Sequence, residues 1–244
     1  MRPPMDDRIK AAYETFLKLE ITLDPVPAAE DKDVWQTEEN YEDESRLEEL
    51  RPFFKDPDWV FNTKYHDPHF CLDRLLMVLN GMFDKVQSTY PEAEYQSSES
   101  KVRRPRWFQD QTVNTSVLVG GRLETLKSIV DHALAYGSRS NLAFKLVVFE
   151  DDSFEMQDMT WEALTAMGMC HRIRPPSDRN TGIYGVHTNS YEWHFLHLGP
   201  HGEHSTLRLS WGTDKSRILA LLEKISKQAF DLAQNAGASD SSDE

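Results

Sequence analysis

Eight residues, Leu142-Ala-Phe-Lys-Leu-Val-Val-Phe149, run without Pro or Gly into three consecutive carboxylates, Glu150, Asp151 and Asp152. A stretch of that length, rich in Val, Leu and Phe, predicts a buried strand. The strand carries its acids to the rim of a sheet, where oxygen ligands suit a hard divalent cation. The bland reading of the same acids is a polar strand end entering a turn, with Ser153 or an Asp capping the next helix.

A chain of 244 residues is long enough for one sizeable domain with flexible ends. Its net charge of -14 excludes nucleic-acid or anionic-membrane binding by the surface as a whole, so any nucleic-acid contact must be local. Cys71 and Cys170 stand far apart outside any CxxC pattern, as free thiols of a reducing compartment do. Neither a secretory leader nor a membrane-spanning run is visible, so the expectation is an intracellular protein, cytoplasmic or nuclear, neither secreted nor membrane-bound.

Ile9, Tyr13, Phe16 and Leu17 predict an amphipathic helix over 6–20. Residues 30–49 hold ten Asp or Glu against Lys32 and Arg46, which predicts a solvated linker or an exposed helix, with a protein-binding acidic arm as the functional alternative. Arg51–Phe61 is aromatic and Pro-punctuated, a loop pinned by its rings. Asp67-Pro68 opens a helix in which Leu72, Leu75, Leu76, Leu79, Met82, Phe83 and Val86 keep one face.

Lys101-Val-Arg-Arg-Pro-Arg-Trp-Phe108 reverses the local charge, and Arg103, Arg104 and Arg106 among aromatics make a candidate contact for single-stranded nucleic acid. A basic loop pairing with the chain's own acidic arm is the competing account. Ser116–Val119 predicts a short strand ending at Gly120-Gly121, whose role is a tight turn because the P-loop and dinucleotide patterns are absent. Leu123, Leu126, Ile129, Val130, Ala133 and Leu134 predict a helix ended by Gly137. Met156, Met159, Ala163, Met167 and Cys170 predict another, with adaptable methionine packing. Three strand-like runs come next, at 182–188, 191–198 and 205–211, then a helix carrying Ile218, Leu221, Leu222, Ile225, Ala229 and Leu232. The tail from Gly237 has nothing to pack. Residues 1–66, 67–235 and 236–244 are the expected divisions: an N-terminal helical and acidic region with an aromatic loop, an α/β domain, and a disordered tail.

Between about Ser116 and Leu198 the chain resembles the PD-(D/E)XK, restriction-endonuclease-like superfamily, particularly the nuclease-like domains common in fungal proteins. The resemblance rests on an acid-tipped strand, a helix carrying Gln, and the pattern Tyr184, Gly185, Thr188, Asn189, Trp193 and Phe195. It implies a mixed central sheet flanked by helices, with a helical and acidic N-terminal extension. It also implies a Mg²⁺-dependent phosphodiesterase, since two carboxylates hold the cation and the cation lowers the pKa of bound water. By position Glu150 is the motif acid, Asp152 stands where the family has a lysine, Asp110 is the nearest upstream acid, and Gln157 or Asp158 is the polar helix position. Glu150, Asp152 and Gln157 are thus the candidate catalytic residues, and Glu150, Asp152 and Asp110 the candidate metal ligands, with His187 a further candidate at the rim. Two rival functions stand beside this one: a catalytically inactive protein-interaction module, and an accessory protein of a biosynthetic pathway with a small-molecule pocket at Tyr184, Tyr191 and Trp193. Among His194, His197, His201 and His204, the pair His201 and His204 flanks a turn with Glu203 as a candidate zinc site.

Overall fold

The computed structural model describes residues 5–25, 33–38, 41, 44–61, 71–90, 104–138, 141–151, 160–174 and 181–239. Its elements are α1 (Met5–Leu17), β1 (Asp24–Pro25), α2 (Glu44–Leu50), a 3-10 turn (Arg51–Phe53), α3 (Pro57–Phe61) and α4 (Cys71–Ser88). They continue through β2 (Arg106–Val119), β3 (Arg122–Ser138), β4 (Asn141–Glu150), α5 (Thr160–Ile173), β5 (Ile183–Thr188), β6 (Glu192–Leu198), β7 (Glu203–Ser210) and α6 (Trp211–Ser239).

One mixed sheet collects the described strands in the order β1-β7-β6-β5-β4-β3-β2. β2 to β4 form an antiparallel meander, β5 returns parallel to β4, and β5 to β7 form a second meander. The apolar run Leu142–Phe149 therefore lies inside the sheet, between β3 and β5, with Leu146, Val147 and Val148 paired on both sides. Leu146 and Val148 face α4 and α6, where Leu75, Val78, Ile218, Leu222 and Phe230 join the same core. Val147 and Phe149 face the opposite layer, packed with Phe16 of α1 and Ala163, Met167 and Cys170 of α5. Each large side chain removed from water in these layers contributes about 1.5–3 kcal/mol. The layer of α1 and α5 is further fastened by Thr165 Oγ1 donating to the Ala12 carbonyl at 2.8 Å, and by Tyr13 packing edge-on against Trp161 at 4.7 Å.

Three sequence expectations are corrected. The helix expected over 123–134 is the strand β3, in register with β2 from Leu118↔Leu123 to Arg106↔Ala135. Leu123 and Ile129 are 73% and 56% exposed, so the apolar residues at helical spacing do not share a buried face. What decides the matter is non-local: Gly120 and Gly121, at φ +55° and +81°, close a hairpin that pairs fourteen-residue β2 with its neighbour. The solvated acidic stretch holds two buried rings: Trp35 donates through Nε1 to Ser205 Oγ, and Tyr41 donates to the Glu223 carboxylate. Charge density across the segment concealed these isolated aromatic anchors. Finally, α6 continues to Ser239, past Gly237, where an unpacked tail was expected; residues 240–244 lie outside the described residues.

Two ladder irregularities shape the end of the central strand and its flank. Leu134 stands opposite Leu146 and Ala135 opposite Phe144, which leaves Lys145 as the extra residue of a bulge. Further along, Gln109 pairs His132 and Gln111 pairs Val130, while Asp110 between them adopts φ +48° and breaks the rung opposite Asp131.

Candidate functional site

Strand alternation sends the acids at the end of β4 to different faces. Glu150 follows Val148 and meets His132 of β3, the residue opposite Val148: His132 Nε2 and Glu150 Oε1 are in direct contact. The two side chains are 8% and 26% exposed, so the contact is at the rim and not in open solvent. Next to it the Glu150 backbone N–H donates to Asp131 Oδ2 at 2.8 Å, which brings a second carboxylate from the neighbouring strand to the same strand end. Asp151 follows Phe149 instead, and its carboxylate lies 3.4 Å from Nε2 of His187, the residue opposite Phe149. His187 is buried, edge-on to His194 at 6.1 Å between ring centroids, and neither of its ring nitrogens makes a hydrogen bond among the described residues.

The turn after β5 fixes this end of the sheet. Thr188 Oγ1 accepts from the Ser190 N–H at 2.9 Å and donates to the Glu192 carbonyl at 2.7 Å, while Asn189 Oδ1 accepts from the N–H groups of Tyr191 and Glu192 at 3.1 and 2.8 Å. Buried Trp193 donates through Nε1 to the Ser190 carbonyl at 3.2 Å. Of the residues that carried the sequence resemblance, Thr188, Asn189 and Trp193 thus build a turn, and the Asp151 N–H bonds the Thr188 carbonyl at 2.9 Å to tie β4 to it. They position the rim and do not line it with reactive groups.

Comparison of the chain with known family models and with curated proteins gives no match in either.

Of the sequence-expected residues, Glu150 is at the rim and Asp110 is exposed in β2, with β3 between β2 and β4. At a spacing of about 4.8 Å per strand that puts the β2 and β4 backbones roughly 10 Å apart, so Asp131, one strand away, is the better-placed second acid. Asp152, Gln157 and Arg103 lie outside the described residues. Arg106 lies over the Phe108 ring at 4.8 Å, and Arg104 precedes the strand. Through Ala135, Arg106 is level with Phe144, six residues from Glu150 and roughly 20 Å along the strand. The basic residues and the acidic rim are thus separate features of one sheet. His201 lies in the β6–β7 turn, where Glu203 Oε2 accepts from its N–H at 2.9 Å, and His204 is in β7 opposite Leu198. Burial pushes the Glu203 carboxyl up, but the backbone donors and the nearby histidines together outweigh it and hold the group below its usual range.

Among the described residues no group of three or more His, Cys, Asp or Glu side chains is arranged to hold a metal ion. Asp131 and Glu150 bring two carboxylates from adjacent strands to one strand end, with the Asp131 carboxylate engaged by the Glu150 backbone N–H. Asp131 and His132 were missed in sequence because the stretch reads as the middle of a helix. The signal that finds them is the β3–β4 pairing that begins at Ser138↔Asn141: followed back from there, it lays His132 opposite Val148 at the end of β4. No described helix is long and apolar enough to cross a membrane, and the Cys170 thiol, buried and pushed up to about 12, is an inert core group.

Proposed function

We propose that the rim of Asp131, His132 and Glu150 is a divalent-cation-dependent phosphodiesterase site acting on nucleic acid, of the restriction-endonuclease-like kind with a degenerate motif. The observation that carries this reading is the Asp131 carboxylate bonded at the end of the acid-tipped strand, because two acids from neighbouring strands are the minimum such chemistry needs. The order of β4, α5 and a parallel β5 bearing Tyr184, Gly185 and Thr188, with Asn189 next to it, also supports this reading.

Asp131 and Glu150 would hold the cation, which supplies Lewis acidity at a phosphate oxygen and lowers the pKa of bound water. Where the family has a lysine this chain has Asp152, so the proton falls to another group. We assign it to His132, which contacts Glu150: water would add to phosphorus, the ester oxygen would leave, and the water's proton would pass to the imidazole. Arg104 and Arg106 supply phosphate contacts away from the cleavage point.

The test is Mg²⁺-dependent cleavage of single- and double-stranded DNA and RNA by the full chain, with Glu150→Ala and Asp131→Ala as controls. Cleavage lost in both variants supports the site. No cleavage, together with no calorimetric binding of Mg²⁺ or Mn²⁺ and an unchanged melting temperature, overturns it in favour of a silent interaction module.

A further inference from the structure

The bulge in β4 turns Lys145 to the same side as Leu146, toward α6, where its Nζ donates to the Gly182 carbonyl at 2.9 Å and lies 5.0 Å from the Tyr184 ring centroid. The residue is 4% exposed, and among the described residues no carboxylate pairs with it. A buried amine without a counter-charge is costly, and an aliphatic side chain would fill the position without that cost. Stability alone does not account for it.

Lys145 also lines a cavity of about 340 Å³ with Thr181, Gly182, Tyr184, His197 and exposed Asp231. The groups facing it come from every neighbouring element: Tyr184 from β5, His197 from β6, Arg174 from the end of α5, and Lys224 and Asp231 from α6. Burial, then the positive charges of Arg174 and Lys224, bring the Lys145 amine down to about 7. Burial likewise pushes the Tyr184 hydroxyl up to about 12 and the His197 ring down to about 4, so at neutral pH one keeps its proton and the other is uncharged.

We propose that Lys145 is a reactive amine within a binding site for a small aldehyde or 2-oxo acid, which it takes as a Schiff base. The Nζ lone pair adds to the carbonyl carbon and a proton moves from nitrogen to oxygen, giving a carbinolamine. That oxygen then leaves as water, and a C=N bond replaces C=O without any change of oxidation state. Tyr184 is the protonated hydroxyl lining the cavity, and the bulge is what aims the amine into it. The site is five residues along β4 from Glu150, roughly 16 Å, and stands independently of the nuclease reading.

The experiment treats the full chain with propionaldehyde or glyoxylate and cyanoborohydride, and maps the adducts by mass spectrometry at each pH. The expected result is labelling of Lys145 at least tenfold faster than any other lysine, with a rate midpoint near pH 7 and none at this position in Lys145→Arg. Faster glyoxylate labelling assigns the anionic ligand, and faster propionaldehyde labelling the neutral one, both within the proposal. Labelling spread over surface lysines, with Lys145 no faster or titrating near pH 10, overturns it. The site-resolved rates in the unmodified chain decide the matter even if the variant does not fold.

Discussion

The Asp131 carboxylate holds the end of β4 by accepting the backbone N–H of Glu150 at 2.8 Å, so a side chain of one strand fixes where the next delivers its acid. Asp131→Ala removes a charged acceptor from a partly buried amide and is expected to cost about 1–3 kcal/mol in urea denaturation. Asp131→Asn keeps an oxygen acceptor and most of that stability. Both variants should lose any Mg²⁺-induced rise in melting temperature, which separates the ligand role from the bracing role.

Trp35 is buried against Tyr184 and Phe195, at 6.1 and 6.4 Å between ring centroids, and bonds Ser205. Trp35→Ala should therefore cost about 3–5 kcal/mol, as large aromatic truncations in a core do. A change below about 0.5 kcal/mol in chemical denaturation would mean that this acidic stretch does not dock.

Glu223 is the acceptor at the centre of a buried network, with Lys85 Nζ at 2.7 Å, Lys227 Nζ at 2.9 Å and the Tyr41 hydroxyl. Burial alone would raise its pKa, but the three donors outweigh burial and hold it below the ordinary glutamate value. The folded state therefore binds its proton less readily than the unfolded chain. The stabilisation is fully present above the unfolded value near 4.5 and is lost as pH falls through the lower folded value. Glu223→Ala should destabilise by about 1–3 kcal/mol at pH 7 by leaving the half-buried Lys85 without its acid, and should flatten the acid limb of a stability profile.

Lys145 gives the opposite limb. Its amine sheds a proton near 7 in the fold and near 10.5 when exposed, so between those values the unfolded chain binds more protons and stability climbs with pH. Comparing Lys145→Met with the parent chain should show that climb, at most about 1.4 kcal/mol per pH unit, only in the parent. Equal slopes would place the amine's titration elsewhere.

How much of the fold and site was legible depends on where each signal lives. The central strand, the α4 face and the closing meander depend on local periodicity, and the structure has them at Asn141–Glu150, Cys71–Ser88 and β5 to β7. β3 did not show itself because Leu123, Leu126, Ile129 and Val130 happen to fall at helical intervals, while the burial that defines a strand switches faces at the Asp110–Asp131 irregularity. Glu150 was visible as the end of an apolar run; Asp131 and His132 were not, since a partner one strand over is set by register. Lys145 was hidden for the same kind of reason, as an alternating pattern gives no warning of an inserted bulge residue.

The two margins of the sheet are unequal. At one, β1 is only Asp24 and Pro25, paired parallel to β7, and a proline offers no N–H for a further strand to accept. At the other, β2 runs for fourteen residues with one side of its backbone unpaired among the described strands. Copies adding strand to strand through their β2 margins alone would halt at a symmetric couple, since β2 is then paired on both sides in each copy.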